Sequence, residues 1–132
     1  MEIQFRTNEK VAAEAVIEVF KSSGINRPTD DVKRIQTMLD NSNLIVTAWK
    51  GMELIGISRS VTDYSYCCYL SDLAVKKEYQ KFGIGKTLID ITQQAIGEQT
   101  MLLLLSTTSA MEYYPKVGFE KVENGYIIKR KV

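Results

Sequence analysis

The stretch Leu73-Ala74-Val75-Lys76-Lys77-Glu78-Tyr79-Gln80-Lys81-Phe82-Gly83-Ile84-Gly85-Lys86-Thr87-Leu88 decides how the rest of the chain is read. An apolar run ending at Val75 feeds a short basic loop, and two glycines stand at the mouth of an amphipathic helix. Such an arrangement makes a phosphate site, because glycines let the backbone approach the anion and the helix's first N–H groups and dipole point at it. Two familiar phosphate loops do not fit. A P-loop requires a glycine five residues before Gly85, where Gln80 stands, although Gly85-Lys86-Thr87 matches its end. A dinucleotide fingerprint requires a glycine at Leu88 and an acidic residue ending the following strand, where the chain reads Leu102-Leu103-Leu104-Leu105.

Outward from this loop, periodicity and punctuation give one domain over residues 1–132. Residues 2–6 alternate as a strand. Thr7 or Asn8 is placed to cap a helix reaching Ser22, with Val11, Ala12, Ala15, Val16, Val19 and Phe20 inward and Gly24 as its stop. A second helix begins at Thr29 or Asp30 and carries Val32, Ile35, Met38 and Leu39 at helical spacing. Residues 44–49 and 53–61 form a hairpin, and residues 66–75 the next strand. The glycine loop launches a helix over 83–96, with Ile84, Leu88, Ile91 and Ala95 inward. Residues 101–105 read as a fully buried strand and 109–116 as a short helix ending near Gly118. Residues 119–123 and 126–130 read as a closing hairpin around Asn124-Gly125 in a type I′ turn. The order is β-α-α-β-β-β-α-β-α-β-β.

Composition narrows the class. The chain has 132 residues, 45% hydrophobic and 25% charged, which suffices for a core. Net charge is +1 and the longest basic block is Lys129-Arg130-Lys131, so neither nucleic acid nor membrane is an expected partner. The N-terminus does not read as a signal peptide, no apolar run approaches a membrane span, and a cytoplasmic location is expected. The two cysteines, Cys67 and Cys68, are adjacent, expected as small buried residues and unlikely by geometry to pair with each other. Histidine is absent, which removes Ser-His and Cys-His hydrolysis and the usual zinc-ligand sets, and no metal is expected.

The remaining pattern, Gln80-x-x-Gly83-x-Gly85, resembles the acyl-CoA-binding motif of the GCN5-related N-acetyltransferases (GNAT), (Q/R)-x-x-G-x-(G/A). A second segment, Ala110-Met111-Glu112-Tyr113-Tyr114-Pro115-Lys116-Val117-Gly118-Phe119, resembles the family's A-x-x-(F/Y)-Y-x-x-x-G-F helix, in the expected order after the glycine loop. Pro115, directly after Tyr114, departs from helical expectation and predicts a helix that begins late or kinks there. The resemblance covers nearly the whole chain. It implies an α/β (α+β) fold: a single-domain acyl-CoA N-acyltransferase fold with a mixed, mainly antiparallel central sheet flanked by helices, whose strands ending at Val75 and beginning at Met101 splay apart.

The resemblance also implies acetyl transfer from acetyl-CoA to a primary amine by direct attack in a ternary complex. On it, Leu73, Ala74 and Val75 offer backbone groups to the pantetheine arm, and Lys81, Phe82, Gly83, Ile84 and Gly85 offer N–H groups to the pyrophosphate. Lys86 or Thr87 adds a contact and Gln80 closes the loop over the phosphates. Tyr114 stands at the position of the family's general acid, with Tyr113 as packing. The base is left among carboxylates: Asp72 first, if strand alternation leaves it facing the cleft, then Glu112 and Asp63. Lys76, Lys77, Lys81 and Lys86 would steer the anionic co-substrate. The acceptor side is expected from residues 23–31, 61–66 and the closing hairpin, with a small-molecule amine favoured over a protein. A homodimer is the expected assembly. A non-catalytic acyl-CoA-binding or regulatory module on the same fold is the alternative, and a nucleotide-binding protein using half a P-loop is a third reading.

Overall fold

The structure, a computed structural model, describes residues 2–132. Five strands form one sheet in the order β1 (Gln4–Thr7), β2 (Leu44–Lys50), β3 (Glu53–Thr62), β4 (Cys67–Val75) and β5 (Met101–Leu103). Neighbours are antiparallel except β4 and β5, which are parallel and joined by helix α3 (Ile84–Ile96) as the crossover. Helices α1 (Ala13–Ser23) and α2 (Val32–Asp40) cover one face, burying Val16, Val19, Phe20, Ile35 and Leu39 against Ile45, Ile57 and Ala74. Helix α3 covers the other, burying Ile84, Leu88 and Ile96 against Val46, Ala48, Ile55 and Cys68.

Helix α1 starts later than its capping signal suggests. Asn8 has φ +57° and exchanges two hydrogen bonds with the Ile45 backbone, so it extends β1 pairing instead of capping the helix. Gly24 ends α1 as expected. Helix α2 is capped by Asp31, whose carboxylate accepts the Arg34 N–H at 3.0 Å, one residue beyond the expected start. On α3 the inward face includes Ile89 and Thr92, while Ala95 is exposed and Ile91 only half-buried. Tyr113–Lys116 is a four-residue helix, α4, after a 3-10 turn at Thr108–Ala110. Pro115 fits because it lies in the first turn, where a backbone N–H has no intrahelical acceptor.

Two expectations fail toward the C-terminal side and a third at the start of β4. The strand expected over 101–105 pairs only over Met101–Leu103, and Met101 and Leu105 are more than half exposed. The closing hairpin does not form: residues 119–132 carry no strand pairing, and Tyr126 and Ile128 are fully exposed. Local pairing alone would have to hold an isolated hairpin, which is marginal without a sheet to join. Cys67 is exposed, while Cys68 is buried, and both are free thiols.

Candidate functional site

A single extra residue in β4 shapes the cleft. Arg59 pairs with Asp72 and Ser60 with Leu70, so Ser71 is bulged out of the β3–β4 ladder. A bulge bends its strand and reverses the faces of the side chains beyond it. Accordingly Cys68 packs on the α3 side while Ala74 packs on the α1–α2 side, although both positions are even-numbered. The β4–β5 ladder stops at the Tyr69–Leu103 pair, just before the bulge. Beyond it the strands part, and a cleft of about 680 Å³ opens between Leu73, Ala74 and Val75 on one wall and Leu104, Leu105 and Tyr114 on the other.

The floor of the cleft's mouth is the glycine loop. Lys81 and Gly83 both have left-handed backbones, φ +72° and +78°. This double reversal turns the chain into α3, and Gly83 is the residue at its N-terminal boundary. The first helical bond runs from the Thr87 N–H to the Gly83 carbonyl. Across residues 81–86 no backbone N–H has a hydrogen-bond acceptor among the described residues. A helix end with unmet donors in a left-handed nest is an anion receptor.

Lys81, Gly83, Ile84, Gly85 and Lys86 line this mouth. Phe82 and Thr87 do not: the Phe82 ring is exposed, and the Thr87 hydroxyl donates back to the Gly83 carbonyl at 3.0 Å. Lys86 pairs with Asp90 at 2.9 Å and Lys76 with Glu53 at 3.0 Å. Gln80 lines the cleft, but its amide donates to the Val75 carbonyl at 3.0 Å. It therefore holds the strand end to the loop in this structure instead of covering the glycines.

Tyr114 is half-buried in the cleft wall, edge-on to the rings of Tyr113 and Phe119 at 5.3 and 5.5 Å. Burial first, then Tyr113, raises its phenol above the usual value, while Arg27 acts in the opposite sense. The phenol is thus neutral over the physiological range. Tyr113 packs against the start of α3. Its hydroxyl lies 3.0 Å from where a Cβ on Gly85 would stand, so only a glycine leaves it undisturbed, and it too lines the cleft. The repeated tyrosine and the second glycine were the sequence signal for this contact, but only packing brings them together.

Asp72 is fully buried and lies on the α1–α2 side of the bulge. One carboxylate oxygen accepts the Arg27 Nε at 2.5 Å and the other accepts the Arg59 Nε. Arg27 also donates to the Ser71 carbonyl at 2.8 Å, and Arg59 to the Ser71 hydroxyl at 3.0 Å. Asp72 is therefore absent from the cleft lining, while Arg27 is present in it. Glu112 and Asp63 are absent from it as well. The Asp63 carboxylate accepts the N–H groups of Ser65, Tyr66 and Cys67 in the β3–β4 turn, which lower its pKa to about 2. That turn is at the opposite end of β4 from the cleft and none of residues 61–66 lines it, whereas Ser23, Gly24, Ile25 and Arg27 do. No carboxylate lines the cleft among the described residues.

Comparison with known proteins agrees with this geometry. The family described as acetyltransferase (GNAT) domain matches residues 7–129. The N-acetyltransferase ycf52 of Pyropia yezoensis, itself uncharacterized, is 24% identical over 131 residues, covering 94% of this chain and 74% of that protein. Among solved structures, the Staphylococcus aureus protein SA2161 superposes with a TM-score of 0.83 at 22% identity, covering 98% of this chain and all of that one. The aminoglycoside N-acetyltransferase AAC(6')-Iy in complex with CoA superposes with a TM-score of 0.75 at 16% identity, covering 99% of this chain and 96% of that one. At these identities the two structures establish a shared fold.

Proposed function

The chain belongs to the GNAT acetyltransferase family, and from that premise we propose that it moves an acetyl group from acetyl-CoA to the primary amine of a small molecule, by direct attack with both substrates bound. The observation that carries this reading is the run of unmet N–H groups over residues 81–86 opening onto the same cleft as the Tyr114 phenol. The first suits a diphosphate and the second a departing thiolate, and the splayed β4 edge connects them. The small-molecule acceptor is consistent with AAC(6')-Iy, an aminoglycoside N-acetyltransferase of the same fold.

The diphosphate lies on the N–H groups of residues 81–86, with Lys81 adding charge. The pantetheine arm runs along Leu73, Ala74 and Val75 as a surrogate strand. It competes with the Gln80 amide for the Val75 carbonyl, so Gln80 swings away on binding. The thioester carbonyl then lies near the Ser71 bulge, where a backbone N–H of the freed strand stabilises the developing oxyanion. The neutral amine attacks the carbonyl carbon, the C–S bond breaks, and Tyr114 gives its proton to the sulfur. With Asp72 held by two guanidiniums, we read it as the anchor of Arg27 and not as the base. The cleft admits the amine in its neutral form, its second proton leaves to water, and the Tyr114 phenolate takes a proton back from water, which restores the acid.

Calorimetric titration with acetyl-CoA, beside Gly85→Glu, tests the binding step. Micromolar affinity lost in the variant supports the site, and absence of binding to the intact chain overturns it. Thiol release with a panel of amines tests the chemistry. Binding without turnover on any amine would return the chain to an acyl-CoA-binding module.

A further inference from the structure

One buried charge cluster beside the cleft does not balance. Arg27 and Arg59 share the single carboxylate of Asp72, two positive groups against one negative, which leaves the cluster at net +1. No other carboxylate pairs with either guanidinium among the described residues. The Asp72 side chain is fully buried, that of Arg59 is 10% exposed and that of Arg27 is 25% exposed. A charge withdrawn from water is costly unless a counter-ion meets it. Arg27 lines the cleft and Arg59 does not, so an anion in the cleft meets the cluster at Arg27.

The donors of Arg27 suit a carboxylate. Its Nε–H goes to Asp72 at 2.5 Å, one Nη1–H to the Asn26 carbonyl at 2.7 Å and one Nη2–H to the Ser71 carbonyl at 2.8 Å. That leaves one N–H on each terminal nitrogen without an acceptor among the described residues. Two donors on one rigid plane match the two oxygens of a carboxylate, and the three bonds already made hold that plane before a ligand arrives. Arg27 is bonded to Ser71 at the bulge, and its charge is near enough to act on the Tyr114 phenol. An anion held there is beside the reacting carbon, far along the pantetheine arm from the phosphates on residues 81–86, and so belongs to the acceptor. Given acetyl transfer at that place, on which this rests, we infer that the acceptor is a free amino acid, its carboxylate held by Arg27 and its α-amine turned to the thioester. With Arg27, Lys81 and Lys86 in the lining and no carboxylate, a polycationic amine meets repulsion, whereas an amino acid brings its own counter-charge. The same positive field favours the neutral amine that attacks. Nitrogen bonds to the acetyl carbon, the C–S bond breaks, and the sulfur leaves as the CoA thiol with the Tyr114 proton. Water takes the proton lost by nitrogen and returns one to Tyr114. The products are an N-acetyl amino acid and free CoA.

The test is thiol-release kinetics on the intact chain at saturating acetyl-CoA, with three sets of acceptors. They are the free amino acids, their C-terminal amides, and amines without a carboxylate, including a polyamine and an aminoglycoside. At least one amino acid is expected to exceed its own amide by about tenfold or more in kcat/KM, and the carboxylate-free amines by at least as much. Arg27→Gln is expected to bring the acid-to-amide ratio close to one. That ratio is taken within one protein, so any loss of folded material cancels from it. Arg27→Lys keeps a charge beside Asp72 without the paired donors, and its loss is expected mainly in KM for the amino acid and not in KM for acetyl-CoA. Equal turnover of acids and amides, or carboxylate-free amines as the better acceptors, would overturn the proposal and leave acetyl transfer standing. A preference for the free acid that survives Arg27→Gln would overturn the assignment to Arg27. Acetyl-CoA bound with no amine acetylated would overturn both this acceptor and the transfer itself.

Discussion

At the scale of single residues, substitutions at Tyr114 and Asp72 separate the proposed chemistry from the support of the cleft. Tyr114→Phe is expected to lower turnover by about 10²- to 10⁴-fold, the usual range for a positioned acid. Acetyl-CoA affinity should be unchanged, since Tyr114 belongs to the cleft wall and not to the glycine loop. Thiol-release kinetics beside calorimetry separates the two, and equal losses in both would place Tyr114 in binding instead. Asp72→Asn leaves two guanidiniums without their shared anion inside the protein. Breaking one side of a buried ion pair costs about 3 kcal/mol or more, which a shift in the urea midpoint will report. If stability is untouched, the buried network is not what holds residues 23–31 against β4.

At the scale of elements, the β3–β4 turn and the start of α3 are each held by one local device. The turn depends on the Asp63 carboxylate, whose pKa is depressed from 3.8 to about 2 by three backbone donors. A depressed carboxylate contributes stability that is complete above the unfolded value and is lost as pH falls through the folded one. The turn should therefore loosen between about pH 4 and pH 2. The amide shifts of Ser65, Tyr66 and Cys67 followed by NMR should titrate with a midpoint near 2, whereas a midpoint near 4 would mean that the donors do not hold the carboxylate. At the start of α3, Gly83 stands at φ +78° with nothing within 4 Å of an added Cβ. Gly83→Ala therefore meets only backbone strain, about 1 to 2 kcal/mol, measurable by thermal unfolding.

At the scale of the whole molecule, the cleft's charge sets its pH behaviour. Arg27, Lys81 and Lys86 line it and no carboxylate does. With water as the proton acceptor, kcat/KM for an amine of pKa about 10 should rise about tenfold per pH unit through neutrality. A plateau beginning between pH 4 and 7 would instead reveal a carboxylate base brought in by movement.

Much of this was legible in order along the chain. Apolar periodicity placed α1, α2, α3 and the first four strands, since each buries one face or both in a core that residue spacing records. The glycine loop was legible because a helix start and a left-handed backbone are local properties of Lys81 to Gly85. The Tyr114 segment was legible by its resemblance and its distance from that loop.

What lay beyond the sequence depends on register between distant strands. The bulge at Ser71 turns Asp72 from the cleft toward Arg27 and Arg59, and no pattern within β4 marks the extra residue, because the bulge exists only relative to β3. The approach of Tyr113 to Gly85 joins two helices distant in sequence. The closing hairpin had every local signal, from alternation to Asn124-Gly125, yet residues 119–132 stay outside the sheet. Sequence determined which segments want to be strands, helices and a left-handed glycine turn, since those preferences are settled within a few residues. Tertiary structure alone decided which carboxylate is withheld from the cleft and which strand is left without a partner, since both are set by neighbours that only folding supplies.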